Sequence, residues 1–298
     1  METQNLNHFQ NQHKRFLSFI KVLVDKFKPE QIYSFGKNYA LNEIDSCFVK
    51  HNTNGQYHYF LLMVTESRTK IEHEVQDFVN SKFGFGSMTV LVHGKEIIAE
   101  ALAGNNRFFN TVCSKGQIVY SQNGMVEPEF ISPFIPTQSA EKALKHLYHR
   151  MELANGFLAG ADECLNNDHF NVCTFMLHQV VEQACIALIR VHLAYRCELH
   201  NLQRLLRLCK CFSDKPIKML LSGTTEDERL FDILLTSYSG ARYRDNFDVS
   251  REDAELLFYK ISAFLTLAKV MCNEKIEALT KEVEVYKEQN QESEASHE

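Results

Sequence analysis

The sequence predicts a two-domain protein of α+β class, in which an α/β unit with a mixed sheet precedes an all-α bundle. Residues 1–135 alternate short strand patterns with helical ones, which is typical of an α/β unit. Pro128, Pro133 and Pro136 share a stretch of low helix propensity, which indicates a domain boundary. Residues 139–278 carry apolar side chains at helical spacing, and a polar tail over 279–298 is expected to fray.

The N-terminal half begins with a frayed polar start and a helix over residues 15–27, which carry apolar side chains at helical spacing. A turn is predicted at Asn52-Thr53-Asn54-Gly55 and an exposed turn at residues 104–109. Strands are predicted at 31–36, 46–49, 57–65, 88–93 and 118–120, and further helices at 69–82 and 96–102. Together they predict a mixed sheet.

The C-terminal half is predicted to hold five helices. The first begins after a Ser139 cap and the third begins at His200. Leucines of the third helix are expected to face inward, while Arg204 and Arg207 face away from the core. The second helix, over 169–194, is apolar around much of its circumference, so we expect it at the centre of the bundle. The others cover 140–165, 226–238 and the stretch from Ser250 past Met271.

Composition and charge exclude several classes of protein. Apolar residues make up 45% of the 298 residues and charged residues 23%, so the chain is globular. The net charge of −6 argues against an electrostatic grip on nucleic acid by the whole protein, but it allows a local basic face. The nine cysteines form no repeated CxxC pair, and we find no signal-peptide pattern and no long apolar run. We therefore expect reduced thiols in a cytoplasmic protein without a membrane span.

Three spaced sequence blocks lie in the helical half. In chain order they read Met176-Leu177-His178-Gln179-x-x-Glu182-Gln183, His200-Asn201-Leu202-x-x-Leu205-Leu206 and Tyr238-Ser239-Gly240-Ala241-Arg242-Tyr243. This order resembles the HEPN domain (higher eukaryotes and prokaryotes nucleotide-binding), and the similarity covers roughly residues 139–275. The resemblance implies an up-and-down helical bundle, and it also implies dimer formation through the helices.

Some HEPN domains are metal-independent ribonucleases that use an arginine and a histidine a few residues apart. The resemblance places that arginine at Arg242, but no histidine occurs in the following residues 243–249. A nuclease would need His178 or His200 to reach Arg242 in the fold, where histidine would transfer a proton and arginine would stabilise phosphorane charge. Alternatively, these side chains form buried polar contacts, with Glu182 as a partner. The candidate nucleotide- or RNA-binding residues are Arg242, Arg244, His178, His200, Arg204 and Arg207.

The N-terminal half resembles the nucleotidyltransferase-type fold that often precedes a HEPN domain. The active form has a glycine-serine turn followed by two acidic residues on a strand, which hold two magnesium ions. Here Gly36 is followed by Lys37, and the strand at His58-Tyr59-Phe60 has no carboxylate, so the resemblance implies a degenerate fold. Glu43 and Asp45 have the spacing that places two carboxylates on one strand face, and they are the candidate metal ligands of an active enzyme.

Three functional hypotheses follow. The favoured one is a HEPN protein associated with a nucleotide or RNA, within a toxin-antitoxin-like or stress and defence system. We expect it to be non-catalytic because the catalytic patterns of both domains are incomplete. The alternatives are a metal-independent ribonuclease with a non-standard arginine and histidine site, and a nucleotidyltransferase that uses Glu43 and Asp45. For the favoured hypothesis we expect a homodimer formed through the helical domain, no cofactor and no membrane.

Overall fold

The computed structural model describes residues 2–46, 49–67, 71–124 and 131–295, and side chains for 11–39, 57–67, 71–124 and 131–292. The chain divides into two compact units, Met1–Phe134 and Ile135–Glu298. A small mixed sheet lies in the first unit and helices make up the second. The predicted fold class is therefore confirmed.

The N-terminal unit is built on a four-stranded sheet with strand order β3-β2-β1-β4. β2 runs parallel to β3, while β1 is antiparallel to both β2 and β4. In chain order the elements are α1 (Glu2–Phe27), β1 (Gln31–Ser46), β2 (Val49–Thr65), α2 (Glu72–Lys82), β3 (Ser87–Gly94), α3 (Lys95–Ala103), α4 (Arg107–Lys115) and β4 (Gln117–Ser121).

Alternation along the strands creates two apolar faces of this sheet. Leu61 and Met63 of β2 and Val90 of β3 join the core formed with α1 and α2. On the other face, Phe60 lies 6.0 Å from Phe35, measured between ring centroids. Side chains at alternate positions of one strand thus enter different cores, as the strand period requires.

Two local predictions for this unit were wrong, and a third was right only in part. The predicted turn at 52–55 lies inside β2, where Asn52 pairs with Ile44 and Gly55 with Leu41, because the hairpin ladder continues past these turn-type residues. Helix α1 starts at Glu2 instead of after a frayed segment. The turn predicted at 104–109 covers only Gly104 and Asn105, because Asn106 Oδ1 accepts hydrogen bonds from the Phe108 and Phe109 N–H groups and α4 begins at Arg107. The predicted strand at 46–49 lies partly outside the described residues.

The C-terminal unit is organised around one buried helix. In chain order its elements are α5 (Ser139–Asn166), α6 (Phe170–Leu193), α7 (Leu202–Cys209), α8 (Lys215–Leu220), α9 (Thr225–Tyr243) and α10 (Arg251–Ala295). α6 packs against α5, α7, α9 and α10, and its side chains are buried on nearly every face. The predicted central position of this helix is confirmed.

α6 is also the one helix in the described part of the chain that is long and apolar enough to cross a membrane. However, 78% of its most apolar 18-residue stretch is buried inside the structure. This burial is typical of the core helix of a soluble protein, so the apolar surface of α6 is used for packing.

Helix boundaries in this unit correct several predictions. Ser139 does not cap α5: it is the first helical residue, and its hydroxyl donates to the Pro136 carbonyl at 2.7 Å. His200 precedes α7, which is instead capped by Asn201 Oδ1 accepting from the Arg204 N–H at 3.0 Å. α8 was not predicted. The last helix continues to Ala295, past the start of the predicted polar tail, and Leu279 and Val283 are buried in it.

Candidate functional site

The connection between α9 and α10, residues 244–250, is held against the start of α6 by one side chain. Asn171 Nδ2 donates to the Phe247 carbonyl at 2.7 Å, and Asn171 Oδ1 accepts from the Val249 N–H at 2.9 Å. This amide therefore replaces the backbone partners that the connection lacks after α9 ends. The contact fixes the C-terminal end of α9, where Arg242 lies.

Gly240 allows the same connection to fold back onto α9. A Cβ atom added at Gly240 would lie 2.6 Å from Cδ2 of Phe247, which is too close for any real contact. The Phe247 ring therefore occupies the space that a side chain would take. Gly240 was visible in the third sequence block, but its packing role depends on a residue seven positions further along the chain.

Replacing Gly240 by alanine is expected to lower the unfolding free energy by about 1–3 kcal/mol, because the new methyl group overpacks against Phe247. Gly156, in the middle of α5, is the matched control, since nothing lies within 4 Å of its added Cβ. Gly156→Ala should stabilise the protein by about 0.5–1 kcal/mol through helix propensity. Denaturant unfolding followed by circular dichroism measures both changes, and equal effects in the two variants would contradict the packing of Phe247 on Gly240.

Arg242 is exposed and sits among three aromatic rings. Its Nε donates to the Tyr238 carbonyl at 2.7 Å. Its guanidinium carbon lies 4.3 Å from the ring centroid of Tyr238, 4.9 Å from that of Tyr243 and 5.4 Å from that of Phe175. Cation–π attraction orients the guanidinium on these rings. The four residues are called the Arg242 cluster below.

His178 lies behind this cluster and is 2% exposed. Its ring centroid is 5.0 Å from that of Tyr238, and its Nδ1 lies 3.3 Å from Gln179 Nε2. Burial, assisted by the positive charge of Arg242, lowers the pKa of His178 to about 4. The imidazole is therefore neutral at pH 7. The structure brings His178 close to Arg242, but only the arginine reaches solvent.

Tyr243 and Arg244 complete the exposed surface at this end of α9. The Tyr243 side chain is 75% exposed. Arg244 is exposed at the C-cap position, and its N–H donates to the Gly240 carbonyl at 3.1 Å. Asp245 and Asp248 follow and are exposed, so the local net charge is close to zero. The exposed ring of Tyr243 beside the Arg242 guanidinium, rather than excess positive charge, distinguishes this surface.

The remaining predicted residues lie elsewhere in the helical unit. His200 has a side chain that is 69% exposed, and its Nδ1 lies 3.0 Å from Oε1 of the buried Glu182. Arg204 is only 9% exposed, so the prediction that it faces away from the core was wrong, and Arg207 is half-buried. Phosphate binding by Arg204 and Arg207 stays a prediction, which the burial of Arg204 does not favour.

The candidate carboxylates of the N-terminal unit lie on β1. The backbone of Glu43 pairs with Thr53, and Asp45 falls at a register irregularity between Ile44 and Ser46. Both carboxyl groups lie outside the described side chains, so metal binding by Glu43 and Asp45 stays a prediction. Within the side chains that the structure describes, no three histidine, cysteine, aspartate or glutamate residues are grouped to hold a metal ion.

Sequence reasoning missed the residues that position Arg242. Phe175 and Asn171 lie on α6, far from Arg242 in the sequence, and nothing in their local pattern distinguishes them from other residues of an apolar helix. Tyr238 offered a signal, because it precedes Arg242 by one helical turn and side chains at this spacing share a face. These contacts define an all-α domain with an arginine held among aromatic rings beside its central helix.

Residues 147–271 match the HEPN domain family. The C-terminal unit of the chain is therefore a HEPN domain, as the three sequence blocks predicted. This assignment is consistent with a nucleotide- or RNA-associated function. No curated protein matches the chain. The family match does not extend into the N-terminal unit, whose nucleotidyltransferase-like character stays a prediction.

Proposed function

We propose that this chain is an RNA-associated HEPN protein that binds single-stranded RNA at the Arg242 cluster without cleaving it. The proposal rests mainly on the difference in solvent exposure between the side chains of Arg242 and His178. The arginine is exposed among aromatic rings, while the neighbouring histidine is buried and neutral. A site with this geometry can contact a nucleic acid but lacks an accessible proton-transfer group at that position.

Single-stranded RNA suits this surface because its unpaired bases can stack on side chains. Tyr243 offers a largely exposed ring, and Arg242 and Arg244 offer guanidinium groups for phosphate or for stacking. Stacking does not need a net positive surface, which fits the exposed Asp245 and Asp248 nearby. The overall charge of −6 also favours a local contact over wrapping of a long nucleic acid.

A second candidate function, metal-independent RNA cleavage, is favoured by a different contact. Oε1 of buried Glu182 lies 3.0 Å from Nδ1 of the exposed His200. With the proton on Nδ1, this carboxylate would orient the imidazole and leave Nε2 to act as a general base. His200 would then work independently of Arg242, which is a non-standard arrangement for the family.

The test combines binding and cleavage of a fluorescently labelled, single-stranded RNA by the purified full chain, with and without EDTA. We expect saturable binding and intact RNA in both conditions. Cleavage that survives EDTA and disappears in Arg242→Ala would overturn the proposal. EDTA-resistant cleavage that disappears in His200→Ala but persists in Arg242→Ala would instead establish the second candidate function.

The proposal includes a homodimer in the cytoplasm, formed through the helical unit. Large apolar side chains are exposed on several of its helices, among them Tyr148 on α5 and Tyr259 on α10. Light scattering should give the mass of two chains at micromolar concentration. Tyr148→Glu or Tyr259→Glu should shift the mass to one chain, while Lys269→Glu, at an exposed polar position of α10, should not. A monomeric mass for the unmodified protein would refute the dimer.

A further inference from the structure

The N-terminal unit presents an exposed aromatic ring from a fixed stretch of backbone. Phe85 lies in the connection between α2 and β3 and is 48% exposed. Its carbonyl accepts a hydrogen bond from Gln12 Nε2 of α1. The following residue, Gly86, has a φ angle of +132°, and a Cβ atom added there would collide with the Tyr57 carbonyl. Both features hold the backbone beside Phe85, so its ring is exposed in a defined position.

The Phe85 ring forms one wall of a shallow groove beside α1. The groove has a volume of about 340 Å³, and α1 lines it with Asn11, Lys14, Arg15, Ser18 and Val22. Four of these residues, at positions 11, 15, 18 and 22, follow helical spacing and share one face. Val22 and Phe85 are apolar and both remain exposed, so the groove offers an apolar surface to one further side chain. The name "Phe85 groove" is used for it below.

Cationic side chains flank this apolar surface. Lys14 and Arg15 line the groove, and Lys21 follows Lys14 after two helical turns, which places both lysines on the same side of α1. Among the described side chains, no carboxylate forms an ion pair with these three cations. Residues 11–27 carry four lysine or arginine side chains and one carboxylate, Asp25, so with neutral histidine their net charge is +3 in a chain of net charge −6. The groove therefore lies in a locally basic surface whose cations lack carboxylate partners.

We propose that the Phe85 groove binds an acidic segment of a partner protein, which places one apolar side chain against Val22 and Phe85. Carboxylates on either side of that side chain pair with Lys14 and Arg15 at one end and with Lys21 at the other. Lys14 and Lys21 are separated by about 10 Å along α1, because an α-helix rises about 1.5 Å per residue. Carboxylates three residues apart in an extended segment span about the same distance. The surface thus matches such a segment in charge and in spacing.

Two other anionic partners fit this surface less well. RNA bases stack on open ring faces, but the Arg15 guanidinium lies 4.4 Å from the Phe85 ring centroid and covers one face of the ring. Val22 is aliphatic and offers no ring for stacking. A membrane surface takes up the whole apolar face of an amphipathic helix, whereas the apolar face of α1, including Phe16 and Leu23, is buried in the core. A protein segment with a single apolar anchor needs only the exposed groove.

Fluorescence anisotropy of the full chain with synthetic peptides tests the proposal. The probe is a short labelled peptide in which glutamates flank a central leucine, and two matched probes carry serine in place of leucine or glutamine in place of glutamate. We expect saturable binding of the leucine probe and binding at least about 10-fold weaker for each of the other two, because each lacks one of the two recognised features. Added salt should weaken binding of the leucine probe, since its ion pairs are exposed.

Charge reversal on α1 separates this site from general electrostatic attraction. Lys14→Glu with Lys21→Glu should weaken binding of the leucine probe by about 10-fold or more, because attraction becomes repulsion at both ends. Phe85→Ala should weaken it by about 10-fold through loss of the apolar contact. Lys115→Glu, at an exposed position of α4, is the matched control and should change the affinity by less than about 2-fold. All four side chains are exposed, so the circular dichroism spectrum of each variant should be unchanged.

Several results would overturn the proposal. Absence of binding of the leucine probe at millimolar concentration, or equal binding of the serine or glutamine probe, would refute an acidic segment with an apolar anchor. An equal loss of binding in Lys115→Glu would show a contact without a defined site. Tighter binding of polyuridine or of phosphatidylserine vesicles, lost in the same α1 variants, would assign the surface to nucleic acid or to a membrane instead. RNA binding at the Arg242 cluster does not use these residues, so either proposal can fail alone.

Discussion

Replacing Arg242 and Tyr243 together by alanine is expected to weaken binding of single-stranded RNA by about 100-fold or more. A stacked base contributes about 1–3 kcal/mol and a charge-assisted hydrogen bond to phosphate about 1.5–3 kcal/mol, and the two side chains lie within one cluster. Fluorescence anisotropy with a labelled oligonucleotide measures the loss. The affinity of the unmodified protein should also fall as salt increases, with a shallow slope, since few phosphates are contacted.

The N-terminal unit provides a matched control for this double variant. Arg15 lies 4.4 Å from the ring centroid of the exposed Phe85, which forms a cation–π pair of the same kind outside the HEPN domain. Arg15→Ala with Phe85→Ala should change RNA affinity by less than about 2-fold if binding is specific to the Arg242 cluster. Equal losses in both double variants would show that exposed arginine-aromatic pairs bind RNA without regard to their position, and the proposed site would be wrong.

The stability of the HEPN domain is expected to fall by about 3 kcal/mol between pH 6.5 and pH 4 through His178 alone. The folded pKa of His178 is about 4, against 6.5 in an unfolded chain. As pH falls through this interval, the unfolded chain takes up a proton that the folded domain cannot accept. The contribution of neutral His178 is therefore complete above pH 6.5 and is lost progressively towards pH 4.

Denaturant unfolding of His178→Gln at pH 7.5 and pH 4.5 isolates this effect from other titrating groups. The stability difference between the unmodified protein and the variant should shrink by about 2–3 kcal/mol at the lower pH. Leu177→Ala is the control, because it removes a buried neighbour that does not titrate. It should cost about 2–4 kcal/mol at both pH values. An unchanged stability difference for His178→Gln would mean that His178 is accessible, and a catalytic role for it would regain support.

Burial separates the two histidines that the sequence offered as equivalent candidates. Their local sequences do not distinguish them, since each lies in a block with leucine and glutamine or asparagine neighbours. His178 is buried on α6, whereas His200 lies in the segment before α7, beside the buried carboxylate of Glu182. Such a difference depends on which helices surround a residue, and a single sequence does not encode it locally.

The sequence by itself determined the fold class, the HEPN domain and the central position of α6. Each of these three properties follows from the periodicity of apolar residues or from residue order along the chain. Periodicity and residue order can both be recognised even when the predicted element boundaries are slightly wrong. Only the tertiary structure decided the access of Arg242, the burial of His178 and Arg204, and the position of Phe85 beside Arg15. These properties depend on contacts between residues distant in sequence, where helix packing overrides the local preference of any single side chain.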